Sequence, residues 1–203
     1  MAFKKGDFVE IDFVGKVSSN EQVFDSTIEK KAPAVVCLES GMLFPLVDKT
    51  IEGKNVGDEF ELELKADDAF GQRNPKLVQL TNINVFRNQG LNPVPGLQVN
   101  IDGMIATIRS VSGGRVTIDF NHPLAGKNLK VWVKIRKLVT DAKEKLIALL
   151  KDWNPSIEIK EKTIEIKMDR ELQGPVADIK IKQLKDLIPE IKDKEIKFLA
   201  AKG

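Results

Sequence analysis

Phe8, Ile11, Phe13 and Val17 sit among alternating polar positions, the pattern of a half-buried strand. Ser18-Ser19-Asn20 marks a turn, and residues 22–26 return as a second strand. A short apolar run over residues 34–38 predicts a third. Over residues 43–51 the apolar spacing lengthens to that of a short helix, and Pro45 fits only its first turn. A Gly- and Asn-rich turn at 53–59 leads into Phe60-Glu61-Leu62-Glu63-Leu64, which alternates cleanly as a strand. The first third of the chain therefore predicts an antiparallel sheet with one short helix.

The character changes near Gln72. Asn74-Pro75, Asn92-Pro93-Val94-Pro95-Gly96 and Ser112-Gly113-Gly114 supply turns. Short strand-like runs lie between them at 78–80, 104–111 and 116–120. Residues 129–135 then give another strand. Residues 141–153 carry Ala142, Leu146, Ile147, Leu149, Leu150 and Trp153 at amphipathic helical spacing, with Thr140 or Asp141 as N-cap. Ile157, Ile159, Ile164, Ile166 and Met168 alternate around Glu161-Lys162 as a hairpin. Pro175 starts a second helix that Pro189 stops, and residues 195–199 close the chain as a strand or short helix. The whole is an α+β chain.

Composition narrows the function. Of 203 residues, 42% are hydrophobic and 31% charged, which suits a core and a solvated surface. The net charge of +2 gives no global field for nucleic acid or membrane, and the Lys-rich tail carries nearly matching acids. No stretch has the length of a membrane span, and no apolar signal core follows Met1. One cysteine, Cys37, suits a reducing compartment and is expected as a buried strand residue; a cytoplasmic protein is the simplest expectation. One His and one Cys make metal clusters and Cys–His chemistry poor readings, and neither metal nor cofactor is expected.

Three segments carry a resemblance. Val9-Glu10-Ile11-Asp12-Phe13-Val14-Gly15 followed by Val23-Phe24-Asp25-Ser26-Thr27 resembles the opening of FKBP-type peptidyl-prolyl cis/trans isomerases. Asp67-Asp68-Ala69-Phe70-Gly71 resembles the same family's D-A-Y-G bend. Asn121-His122-Pro123-Leu124-Ala125-Gly126 resembles the return point of the SlyD-like branch, in which a second domain is inserted into the flap of the first. The resemblance covers roughly residues 3–138, and the tail suggests a long archaeal form. It implies an isomerase domain over 1–74 and 122–139, a β-rich insert-in-flap chaperone domain over 75–121, and a small α+β domain over 140–203 that offers a dimerisation surface.

The resemblance also implies a cleft. Phe13, Phe24, Asp25, Leu43, Phe44, Val47, Phe70 and Val131 would form it, with Ala34 at the substrate. Phe24 would be a wall, Val47 the floor, and the Phe44 backbone N–H a donor to a substrate carbonyl. Asp25 would sit beside the twisting bond, with capping of the following turn as its plainer role. His122 would lie near the domain junction, more as a structural hydrogen-bonding residue than a catalyst. The chain has no tyrosine, so Phe13 and Phe70 stand where the family has hydroxyl donors. The insert would meet unfolded polypeptide through Ile83, Val85, Phe86, Leu91, Val94, Leu97, Met104 and Ile105, some of which must instead build its core. The competing expectations are a holdase-type binding protein with little isomerase activity, and an assembly adaptor that dimerises through residues 141–203.

Overall fold

The computed structural model describes residues 2–169 and 172–200. In chain order the strands and helices are β1 (Phe8–Val17), β2 (Val23–Ser26), α1 (Thr27–Lys30), β3 (Ala34–Cys37), α2 (Pro45–Ile51), β4 (Glu59–Leu64), β5 (Val78–Asn82), α3 (Ile83–Arg87), β6 (Gln98–Ile101), β7 (Met104–Ser112), β8 (Arg115–Asp119), β9 (Leu129–Val139), α4 (Ala142–Leu149), β10 (Ser156–Ile159), β11 (Thr163–Met168), α5 (Gly174–Leu187) and β12 (Glu195–Ala200). They form an α+β fold in two compact units. One holds the described residues up to Glu63 and from Lys130 on; the other is Leu64–Leu129.

The first unit contains a sheet ordered β2-β1-β9-β4, with β3 also on β1. β1 is long enough to serve two partners in succession. Its first half pairs with β3, from Phe8↔Cys37 to Ile11↔Ala34, and its second half pairs with β2, as Val14↔Ser26 and Gly15↔Asp25. A bulge between Gly15 and Lys16 separates the last β2 contact from the rest. Arg136 of β9 holds two carboxylates of β1, with Nε 3.2 Å from Glu10 and Nη1 3.1 Å from Asp12. Proline opens α2, and the helix buries Val47, Asp48 and Ile51 on one face.

A second sheet in the same unit is ordered β10-β11-β12. β10 and β11 form the expected hairpin, and β12 completes the sheet parallel to β11. A parallel pair needs a crossover, and α5 supplies it. Residues 195–199 thus resolve to strand. α4 is capped by Asp141, whose carboxylate accepts the Glu144 N–H at 2.8 Å. It ends at Leu149, short of Trp153, because the chain tightens into a 3₁₀ turn at Lys151–Trp153 and then reverses at left-handed Asn154. Leu146, Leu150, Ile157, Ile164, Ile166, Leu184 and Phe198 share one core with Phe8 of β1 and Cys37 of β3. The C-terminal segment and the first sheet therefore bury their side chains against each other.

The second unit holds a four-stranded antiparallel sheet ordered β5-β8-β7-β6, with α3 as its helix. Phe86, Val99, Ala106, Ile108, Val116 and Ile118 form its core, and Ile83, Leu97 and Phe120 pack against them. Phe86 was expected to face client chain; at 3% exposure it fills the core instead. Ile83 and Leu97 also give most of their surface to this core. Each buried side chain of this size contributes about 1.5–3 kcal/mol, which a unit this small needs.

Candidate active site

Phe24 owes its place to Gly15. The two lie on neighbouring strands, and a Cβ built on Gly15 would come within 2.4 Å of the Phe24 ring tip. The missing side chain lets the ring lie directly over the β1 backbone. Phe13, two residues earlier, is half-buried and fixed through its backbone. Its N–H donates to Thr27 Oγ1 at 2.8 Å, and the Thr27 hydroxyl donates back to its carbonyl at 3.3 Å. Thr27 is the first residue of α1, so this short helix pins the strand that carries Phe13.

Asp25 pairs across the sheet with Gly15, and its carboxylate takes the Lys30 ammonium at 2.6 Å. It does not cap the next turn; Ser26 does, accepting the Glu29 N–H at 3.1 Å. The Asp25 side chain is 47% exposed, so the ion pair adds little stability and leaves the carboxylate in reach of a ligand.

Phe44 is the N-cap of α2, and its carbonyl accepts the N–H of Val47 at 2.9 Å and of Asp48 at 3.1 Å. Leu43 and Phe44 are half-buried, whereas Val47 and Val131 are fully buried. Ala34 is half-buried at the start of β3, paired with Ile11. Phe13, Phe24, Asp25, Ala34, Leu43, Phe44, Val47 and Val131 thus share the first unit, on β1, β2, β3, β9 and the entry to α2. Phe70 belongs to the second unit.

Two groups escape a reading of sequence alone. Asp48 lies beside Val47 on α2, is 3% exposed, and leaves Oδ1 without a hydrogen-bond partner. Burial pushes its carboxyl above the usual range, partly offset by the Glu39 backbone N–H. In the second unit Asp119 is buried between Arg73 and Arg109, with Arg109 Nε at 2.8 Å. Burial raises its pKa, but the Asn121 donors and the two guanidiniums outweigh that and hold it below the ordinary value. Asn121 also accepts the Asn74 N–H at 2.8 Å and donates to the Asn74 carbonyl at 3.0 Å. A single acid among scattered basic residues gives no local pattern, so nothing in the sequence marks Asp119.

Phe70 and His122 lie face to face, with ring centroids 4.0 Å apart and planes 11° from parallel. The segments carrying them are tied elsewhere too, by Gly126 N–H to the Gly71 carbonyl at 2.8 Å and Ala66 N–H to Asn128 Oδ1 at 3.1 Å.

Residues 1–87 match the family model for FKBP-type peptidyl-prolyl cis-trans isomerase, and residues 79–124 match that for the FKBP26 IF domain. The chain is 30% identical to a short-type peptidyl-prolyl cis-trans isomerase of Methanocaldococcus jannaschii, over 66% of this chain and 92% of the relative. It is 36% identical to a probable FKBP-type 16 kDa peptidyl-prolyl cis-trans isomerase of Pseudomonas fluorescens, over 63% and 85%. With the FKBP-type isomerase SlyD of Escherichia coli it shares 29%, over 66% and 72%.

Proposed function

This chain belongs to the FKBP-type peptidyl-prolyl cis-trans isomerases, and we propose that it couples X-Pro isomerisation in a phenylalanine-walled pocket to capture of unfolded chain by an insert-in-flap domain. The isomerase pocket we assign to the first unit consists of Phe13, Phe24, Asp25, Leu43, Phe44, Val47 and Val131, with Ala34 at the substrate. The reaction needs no nucleophile, metal or proton transfer. The peptide bond resists rotation by about 18–20 kcal/mol because its C–N bond is partly double. Rotation breaks that conjugation and leaves a less polar amide, so a dry apolar surface binds the twisted form better than the planar one. Each ~1.4 kcal/mol of that difference is about tenfold in rate. The Phe44 N–H orients a substrate carbonyl, and Asp25 provides the electrostatic contact beside the bond.

The observation that carries the chaperone half is the apolar surface left on the second unit after its core is complete. Met104 and Ile105 are 57% and 68% exposed, and Leu80, Val85, Leu91 and Val94 are exposed with them. Six exposed apolar side chains on so small a unit suit an apolar partner, and unfolded polypeptide is the partner we assign. Tethering a client to the chain that carries the pocket raises its local concentration without new chemistry.

The C-terminal segment completes the reading as a long archaeal form that self-associates. Val176 and Ile179 stand exposed on α5, with Ile147 on α4 and Ile159 on β10. Light scattering should give a dimer mass at micromolar concentration; a monomer mass would reject the dimer and leave the isomerase untouched. A cytoplasmic location is in keeping with the single, buried cysteine. Among the described residues no helix is long and apolar enough to cross a membrane.

The coupling is tested by replacing residues 76–118 with a short loop, which keeps Arg73, Asn74, Asp119 and Asn121. Turnover of a short proline peptide should stay within about twofold, while proline-limited refolding of a protein should slow about tenfold or more. Equal losses on both substrates would contradict the division of labour.

A further inference from the structure

One interval of β1 falls between two ladders. Along one edge β1 pairs with β3 as far as Ile11↔Ala34 and takes up β2 at Val14↔Ser26, which leaves Asp12 and Phe13 between them. A single side chain closes the gap at Phe13. Thr27 Oγ1 accepts the Phe13 N–H at 2.8 Å and donates to the Phe13 carbonyl at 3.3 Å. A hydroxyl suits this place because it is donor and acceptor at once, and backbone groups left unpaired away from water are costly.

We propose that Thr27 is a positioning residue for X-Pro isomerisation: its hydroxyl stands in for a strand partner and fixes Phe13 as a wall of the pocket. The proposal deepens the pocket reading above and rests on it. Three observations in the first unit carry it. Thr27 is only 8% exposed, so water competes little for its bonds to Phe13. Its own backbone is held as the first residue of α1: Ser26 caps the helix, the Thr27 carbonyl accepts the Ala32 N–H at 3.1 Å, and left-handed Lys31 closes the turn. Phe13 also lies two residues from Gly15. Side chains two apart share one face of a strand, so Phe13 points to the face on which the Phe24 ring covers Gly15.

The two sides of β1 are fixed by different means here. Asp12 is anchored through its carboxylate, with Arg136 Nη1 at 3.1 Å. The Phe13 ring has no polar atom, so packing and the backbone set its direction. Thr27 thus does for Phe13 what the missing side chain of Gly15 does for Phe24. A wall free to shift admits water and is worth less to the twisted amide, whose advantage comes from a dry apolar surface.

The experiment uses full-length protein and a short Ala-Leu-Pro-Phe peptide. Thr27→Val keeps the shape and removes the hydroxyl; it should lower kcat/KM about fivefold in folded protein. Thr27→Ser keeps the hydroxyl and should recover all but about twofold. Thr27→Cys, a weaker partner run as the milder variant, should fall between them and serves in place of Thr27→Val if that variant does not fold. A role in stability alone is separated by a cycle: in a Phe13→Ala background, Thr27→Val should lower kcat/KM no further, while its melting temperature still drops. Thr27→Val or Thr27→Cys equal to wild type, Thr27→Ser as impaired as Thr27→Val, or the same loss of activity in the Phe13→Ala background would overturn the role of Thr27 and leave the pocket standing. If Phe13→Ala and Phe24→Ala both turn the peptide over like wild type, the pocket reading fails with it.

Discussion

A methyl group at Gly15 would collide with the Phe24 ring at 2.4 Å, so the ring, the strand or both must move. Gly15→Ala should therefore lower kcat/KM for a proline peptide about tenfold, approaching the effect of Phe24→Ala. Equal activity in Gly15→Ala and wild type would show that the ring position does not matter. Asp48 makes the opposite kind of prediction. Its pKa is raised on folding by burial, so the folded state holds its proton more tightly than the unfolded state. Stability associated with this group is greatest below the unfolded carboxylate pKa and falls as pH rises through the raised folded value. Glu39 and Glu52 push the same way, and Lys5 pairs with Glu39 at 2.8 Å. Asp48→Asn should raise the melting temperature at pH 7–8 and lose that advantage near pH 3, as read by thermal scans across pH. An advantage independent of pH would contradict the sign. Gly15 and Phe24 were visible in the sequence because both belong to a short motif. Asp48 was not, because an acid on a short helix looks the same whether it faces solvent or core.

At the scale of elements, α1 shows how a four-residue helix can govern a strand. Ser26 caps it, and Thr27, its first residue, bonds both backbone groups of Phe13. Ser26→Ala should cost about 1 kcal/mol, measured by urea denaturation, with no change in the slope of the transition. Elements with six or more patterned residues were largely legible: β1, β4, β7, β9, the hairpin β10–β11 and α5 lie where alternation or helical spacing puts them. Of the shorter ones, β2, β3, β5 and β8 also fall in runs read as strands, but α1, α3 and β6 went unread. α3 has five residues and β6 four, too few to show a period, and the Pro- and Gly-rich turn before β6 dominates its surroundings. α4 was read too long because Leu150 and Trp153 continue its apolar spacing, while the turn at Asn154 is a backbone event that the spacing does not reveal. The pairing of β1 with both β2 and β3 depends on tertiary register, which no local pattern encodes.

For the whole molecule, the shared core matters most for stability. Leu146 of α4 is fully buried in a cluster that reaches Phe8 and Cys37. Leu146→Ala should cost about 2–5 kcal/mol. Because β1 and β3 take part, amide exchange should rise in those strands and not only in the C-terminal segment. Protection lost only beyond residue 140 would argue for an independently stable tail. The account as a whole stands on catalysis of X-Pro rotation by the full-length chain. Its most direct test is the refolding rate of a protein whose slow phase is proline isomerisation, followed with substoichiometric amounts of this chain. The account predicts an acceleration proportional to its concentration, reduced at least tenfold by Phe24→Ala in a folded variant. A refolding rate equal to the uncatalysed one, with the protein folded and in the same range of concentration, would contradict it.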